Sequence, residues 1–236
     1  MKIFKTLLVL TVSFNFIGCT KDDNAIVHIP GNGITDIEGN KYSTVIIGDQ
    51  EWMAENLNTS FFKNGDSIPS TGNSAQVLIY DDDPQNAEIY GKLYNFKAVT
   101  DTSGLCPCGW EVPRELDYAK LINYLGGYKE GLKKLKSKGN LYDGTGLWVK
   151  RTNDHLYAGT NLSGFHAIPG GMANKSQSVS NTFSNKDTLA SFWAIPENVN
   201  NAITYQLITP QVEKLEIHGD LAKEEVFYSV RCIKSK

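Results

Sequence analysis

Four cysteines, Cys19, Cys106, Cys108 and Cys232, are the residues whose type could carry redox, metal or covalent chemistry in this chain. They lack the paired CxxC spacing of a structural zinc site and are too few for a disulfide scaffold, so the compartment decides their state. Where thiols are oxidised, two of Cys106, Cys108 and Cys232 should pair. Asp81-Asp82-Asp83 is the densest run of carboxylates. Clustered carboxylates can hold Ca²⁺, which takes about six to eight oxygen ligands, although this spacing is not that of an EF-hand loop and such a run otherwise forms a solvated turn. Among the tryptophans, Trp52, Trp110 and Trp193 sit beside apolar residues and read as core, whereas Trp148 follows Gly144-Thr145-Gly146-Leu147 and is the freer ring for stacking on a sugar face. Asp81, Asp82, Asp83 and Trp148 are therefore the candidate ligand contacts. Catalytic signals are absent from the sequence: His28, His155, His166 and His218 are scattered and outside HExxH, and Ser163 is not in a GxSxG elbow. No catalytic residue, metal site or cofactor is expected.

The chain that must position these groups has 236 residues, 41% of them hydrophobic and 21% charged, enough for one or two globular domains. Its 23 basic and 26 acidic residues give a net charge of -3, which argues against nucleic acid as a partner. Lys2 and Lys5, a largely apolar stretch over 6–17 and then Gly18-Cys19 have the three regions of a secretory signal peptide over residues 1–18. The apolar stretch is shorter than the roughly 20 residues a spanning helix needs. Phe16-Ile17-Gly18-Cys19 resembles a bacterial lipobox, with Phe16 in place of the common Leu, and implies that Cys19 is lipidated and anchors the mature chain to the membrane. Thr20-Lys21-Asp22-Asp23-Asn24 is similar to the Lys-Asp-Asp export signal of Bacteroidota lipoproteins, which implies the outer membrane and its outer, cell-surface face. Loss of residues 1–18 removes Lys2 and Lys5 and takes the net charge to -5, so lipid rather than surface charge would hold the protein there.

Residues 19–33, broken by Pro30, Gly31 and Gly33, read as a lipidated flexible tether, and residues 34–236 as one domain without internal repeats. Residues 36–53 read as strand, turn, strand, turn, strand, with turns at Glu38-Gly39-Asn40 and Gly48-Asp49. Leu116, Ala119, Ile122 and Leu125 recur every third residue and predict a helix over 113–125, begun by Pro113 and stopped by Gly126-Gly127. A second helix over 129–138 is weakened by Gly131. Runs at 202–208 and 226–233 read as short strands in long loops, and the class is α+β.

Six stretches, at 47–57 (IGDQEWMAENL), 90–99 (YGKLYNFKAV), 106–113 (CPCGWEVP), 159–171 (GTNLSGFHAIPGG), 192–193 (FW) and 229–234 (SVRCIK), resemble the Fibrobacter succinogenes major paralogous domain family in the family's order. The resemblance implies a distantly C-type-lectin-like fold, shared with formylglycine-generating sulfatase modifiers: small antiparallel sheets, one or two helices and long structured loops. It also implies a Cys106–Cys232 disulfide, and a Cys106–Cys108 bond is sterically poor because only Pro107 separates the two. Cys108 is then a spare thiol, read either as a small buried residue or as a reactive, redox or copper-binding group by analogy with the formylglycine-generating enzymes. Two residues depart from the family pattern. Arg114 stands where a Ser or Thr would cap the helix, with Asp117 able to compensate through the helix dipole, and Cys108 replaces a non-cysteine residue.

These features together predict a surface lipoprotein whose single domain is a non-catalytic binding or adhesion module for glycan or protein. The alternatives are an enzyme or modifier related to the formylglycine-generating fold and a structural component of a surface assembly.

Overall fold

A computed structural model describes residues 28–149, 159–175, 181–197 and 226–236, together with the backbone of the strands Ala202–Ile208 and Glu213–His218. Cys19, the signal stretch and most of the tether lie outside the described residues.

The Gly48-Asp49 turn closes a hairpin of Thr44–Ile47 and Gln50–Met53, in which Val45 faces Trp52. Gly48 takes φ +63, the left-handed conformation such a turn requires. The hairpin is the centre of a five-stranded sheet in the order Ile29–Pro30, Thr44–Ile47, Gln50–Met53, Ile233–Lys234, Trp110–Glu111. A second five-stranded sheet runs Thr182–Lys186, Gly170–Asn174, Val226–Tyr228, Leu93–Asn95, Val77–Leu78. Leu189–Ala194, Ala202–Ile208 and Glu213–His218 form a three-stranded sheet, and Ile34–Thr35 pairs with Lys41–Tyr42. Every pairing between these strands is antiparallel. The class is α+β, with small sheets and short helices.

The run over 226–233 is not one strand. Val226–Tyr228 belongs to the second sheet and Ile233–Lys234 to the first, and the intervening Ser229, Val230, Arg231 and Cys232 cross between the sheets fully buried.

Four α-helices are described, two more than the sequence suggests. α1 (Pro84–Tyr90) starts with Asp83 accepting a hydrogen bond from the Gln85 N–H at 3.0 Å and Pro84 in its first position. α2 (Phe96–Val99) starts with Asn95 accepting from the Ala98 N–H. Both are too short to show helical periodicity, so their caps are the only local signal.

α3 (Glu115–Tyr124) matches the predicted helix, but with a different buried face. Leu116 is 63% exposed, while Tyr118, Leu121, Ile122 and Leu125 are buried. The physical reason is the period: Leu116 and Leu125 are separated by about two and a half turns and point to opposite sides. Asp117 accepts a hydrogen bond from the Arg114 N–H at 2.8 Å, which supplies half of a capping box; a guanidinium has no acceptor for the other half. α4 (Tyr128–Leu135) crosses α3 at Gly131, where a Cβ would lie 3.3 Å from the Ile122 carbonyl oxygen and 3.4 Å from the Leu125 Cβ. The glycine that weakens this helix locally is what lets the two helices approach.

Two large hydrophobic clusters, with a smaller third of Leu78, Tyr80, Leu93, Ala173 and Phe227, fill the body. One gathers Met53, Leu57, Tyr94, Phe96, Trp110, Trp193, Tyr228 and the Cys106–Cys232 pair, and the other places Tyr118, Leu121 and Ile122 against Trp52, Trp148, Phe165 and Phe192.

Candidate binding site

Three segments far apart in sequence line a half-open cavity of about 230 Å³. Thr35, Asp36 and Ile37 line it from the first small hairpin, Thr59, Phe61 and Lys63 from the following loop, and Leu105, Pro107 and Cys108 from the turn before Trp110–Glu111. Each segment is held from behind. The Asp36 carboxylate accepts from the Asn40 N–H (2.9 Å), the Asn40 Nδ2 (2.8 Å) and the Tyr42 hydroxyl (2.6 Å). Burial, and then the bond to Asp36, push the Tyr42 hydroxyl well above its ordinary titration range, so it stays a donor. Thr59 exchanges two hydrogen bonds with the backbone of Phe61, and its carbonyl accepts from the buried Tyr94 hydroxyl at 2.8 Å. The Lys63 N–H donates to the Gly104 carbonyl at 2.8 Å, which ties the second segment to the third.

The third segment is anchored covalently. Cys106 and Cys232 are joined, with their Cα atoms 6.0 Å apart and 126 positions apart in sequence. A closed loop of that size stabilises by about 4–5 kcal/mol on the chain-entropy account. Cys108 is a free thiol and is exposed, which corrects the expectation of a small buried residue. The reason is the tight turn after the disulfide: the Trp110 N–H donates to the Pro107 carbonyl and Gly109 takes φ +79, so Cys106 faces inward and Cys108 outward. Among the described residues the Cys108 thiol has no hydrogen-bond partner, and the other two described cysteines are already bonded to one another.

A different kind of polar centre is built around Arg231. Arg231 is 0% exposed and faces no carboxylate across a salt bridge among the described residues. Its Nε and Nη2 donate to Asn56 Oδ1 at 3.2 and 2.5 Å, Nη1 to the Met53 carbonyl at 3.4 Å and to the Phe165 carbonyl, and Nη2 to the His166 carbonyl at 3.4 Å. Its guanidinium carbon lies 4.6 Å from the Phe165 ring centre and 5.3 Å from that of Phe192. Burial pushes its pKa down to about 10, which leaves it charged at neutral pH. Asn56 in turn donates to the Tyr90 carbonyl at 2.9 Å. Gly91, next in the chain, takes φ +73, and a Cβ there would lie 2.8 Å from both the Asn56 Cβ and the Leu57 carbonyl oxygen. Three loops thus meet on one arginine, whose position in Ser229-Val230-Arg231-Cys232 gives no sequence signal of burial.

The ligand contacts expected from sequence fall elsewhere. Trp148 is 3% exposed: its Nε1 donates to Ser137 Oγ at 3.0 Å and to the Ala167 carbonyl at 3.3 Å, and Lys136 Nζ sits 4.1 Å above its ring. The ring has no free face for a sugar, which corrects that expectation, because segments distant in sequence close over it. Asp81 and Asp82 are exposed in a one-turn 3₁₀ helix, both at φ +54, and the Asp83 carboxylate is the cap of α1. The acidic run is spread along a turn rather than gathered, and no group of three or more His, Cys, Asp or Glu that could hold a metal is present among the described residues. His155 lies outside them.

Residues 45–234 match the model of the Fibrobacter succinogenes major domain. The chain belongs to this family. No match to the chain is found among curated proteins or among solved structures. Within this Fibrobacter succinogenes major domain, the matched residues hold the Arg231 junction, the disulfide and two of the three cavity segments, whereas Thr35, Asp36 and Ile37 precede the match. No helix among the described residues is long and apolar enough to cross a membrane.

Proposed function

We propose that this protein is an outer-membrane lipoprotein, anchored through Cys19 and displayed at the cell surface, whose domain of residues 34–236 is a non-catalytic binding or adhesion module for glycan or protein. The cavity carries this reading. It has apolar walls in Ile37, Phe61, Leu105 and Pro107, polar groups at its edge, and a thiol that no general base among the described residues addresses. Such a lining can hold a ligand, while nothing bonded to Cys108 would activate it. The lipobox-like residues 16–19 and the acidic residues that follow support the location.

Two measurements test the proposal. Cys19→Ser should release the chain from the membrane fraction and change its gel mobility; an unchanged, membrane-bound product would remove the lipoprotein half. The same variant, applied to a glycan array and to an envelope-protein pull-down, should retain a ligand without converting it. Turnover of a retained glycan would assign the protein to the enzyme class, and selective retention of envelope proteins alone would assign it to a surface assembly.

A further inference from the structure

We propose that the cavity beside Cys108 is a binding site for a uronic-acid unit, a sugar ring bearing one carboxylate, with the Lys63 ammonium as the carboxylate's partner. The inference rests on the binding-module reading and specifies its ligand. Among the described residues Lys63 is the only cationic side chain on the cavity wall. Its ammonium has no hydrogen bond or ion pair among the described residues, and the side chain lies flat on Gly104, where a Cβ would come within 2.4 Å of Lys63 Cε and 2.8 Å of Nζ. Gly104, at φ +77, therefore leaves the groove in which the lysine rests at the edge of the Leu105–Cys108 wall.

The carboxylates around it are already engaged. Asp36 accepts three hydrogen bonds, Glu38 accepts from the Ser60 N–H at 2.5 Å and lies 3.9 Å from Lys92 Nζ, and Asp66 accepts from Asn64 Nδ2 at 2.7 Å. These bonds leave the Asp36 charge in place but take up its acceptor positions, so the Lys63 ammonium is the charged group on the wall whose bonding capacity is unused among the described residues. The free donors of the ammonium call for an anionic acceptor, and the remaining lining calls for an apolar face, since Ile37, Phe61, Leu105 and Pro107 offer carbon. A pyranose uronate has both, with its C–H face for the wall and its carboxylate for Lys63. An acidic amino-acid side chain has the charge without the face, and a neutral sugar the reverse. At about 230 Å³ the space suits one ring rather than a drug-sized ligand, for which cavities start near about 300 Å³.

Cys108 makes the site report on itself. In the full chain, the rate at which iodoacetamide alkylates Cys108 is followed by mass spectrometry with glucuronate, galacturonate, glucose, galactose or N-acetylglutamate present, each against an equal concentration of sodium chloride. The two uronates should slow alkylation at millimolar concentration while the neutral sugars do not. Lys63→Gln, an exposed substitution, should raise the concentration needed about tenfold, the effect of losing one charge-assisted hydrogen bond. Calorimetry on Cys108→Ser gives a second readout that does not need the thiol, and the uronate heats should persist there. Equal protection by glucose, equal protection by N-acetylglutamate, or unchanged affinity in Lys63→Gln would each overturn the proposal. So would the absence of both protection and heat with any uronate. In that case the glycan array still decides the broader reading, because retention of a glycan with Cys108 fully reactive keeps the module and discards this site.

Discussion

Two polar regions within the same fold are built on opposite terms. Around Arg231 every acceptor faces inward, water is excluded and one cation joins the backbone carbonyls of Met53, Phe165 and His166 to the amide of Asn56. Around Cys108 and Lys63 the backbone is also pinned, yet an ammonium and a thiol are left without partners among the described residues. A polar group whose bonds are all used inside the protein specifies the fold; one whose bonds are unused has something left to offer a ligand. The difference lies in exposure: Arg231 is buried, whereas Lys63 and Cys108 face outward.

The contrast can be broken hardest at the arginine. Arg231→Met fills similar space with apolar atoms but strands the Asn56 oxygen and several buried carbonyls, and should lower the unfolding free energy in urea by roughly 4–5 kcal/mol. Next comes the covalent anchor: the double substitution Cys106→Ser and Cys232→Ser should cost about 3–4 kcal/mol in the same measurement and also loosen the cavity wall. Cys108→Ser, two residues away, should change stability by less than about 0.5 kcal/mol. A large loss there would place Cys108 with the structural group and erase the distinction between the two regions.

The smallest effect concerns His166, whose carbonyl serves Arg231. Partial burial of its imidazole, and then the Arg231 charge, hold its pKa below the ordinary 6.5. The folded state disfavours the protonated ring, so the stability it contributes is present above about pH 6.5 and declines as pH falls through the lowered value. Proton NMR should show His166 titrating below 6.5, and His166→Gln should flatten that part of the stability profile. A midpoint at or above 6.5 would separate His166 from the buried charge.

Local rules reached as far as local structure goes. The Gly48-Asp49 hairpin and the strand Ala202–Ile208 were legible because turn chemistry and short apolar runs act over a few residues. The helix at 115–124 was legible, but its buried face was not, since a three-residue spacing drifts around the axis. Trp148 looked free among glycines because its cover, Lys136, Ser137 and Ala167, comes from two other segments. The burial of Arg231 has no local signal for the same reason, since Asn56 and Phe165 come from other segments. The cavity is the extreme case: its lining spans residues 35–108 and exists only once three loops are brought together, so no window of sequence contains it. The cysteine pairing, by contrast, followed from family resemblance alone.

The disulfide also divides the chain mechanically. Residues 106–232 form a covalently closed loop, while the cavity is walled by residues 35–37, 59–63, Leu105 and the first residues of that loop. With the domain held from its N-terminal end and a ligand seated in the cavity, tension would run from the Ile29–Pro30 strand through residues 31–105 and reach Cys106 without passing through the loop beyond it. Along the covalent chain the load would pass from Cys106 to Cys232 through the disulfide rather than around the closed loop, and the two-residue pairing of Ile29–Pro30 with Thr44–Ile47 stands first on its path.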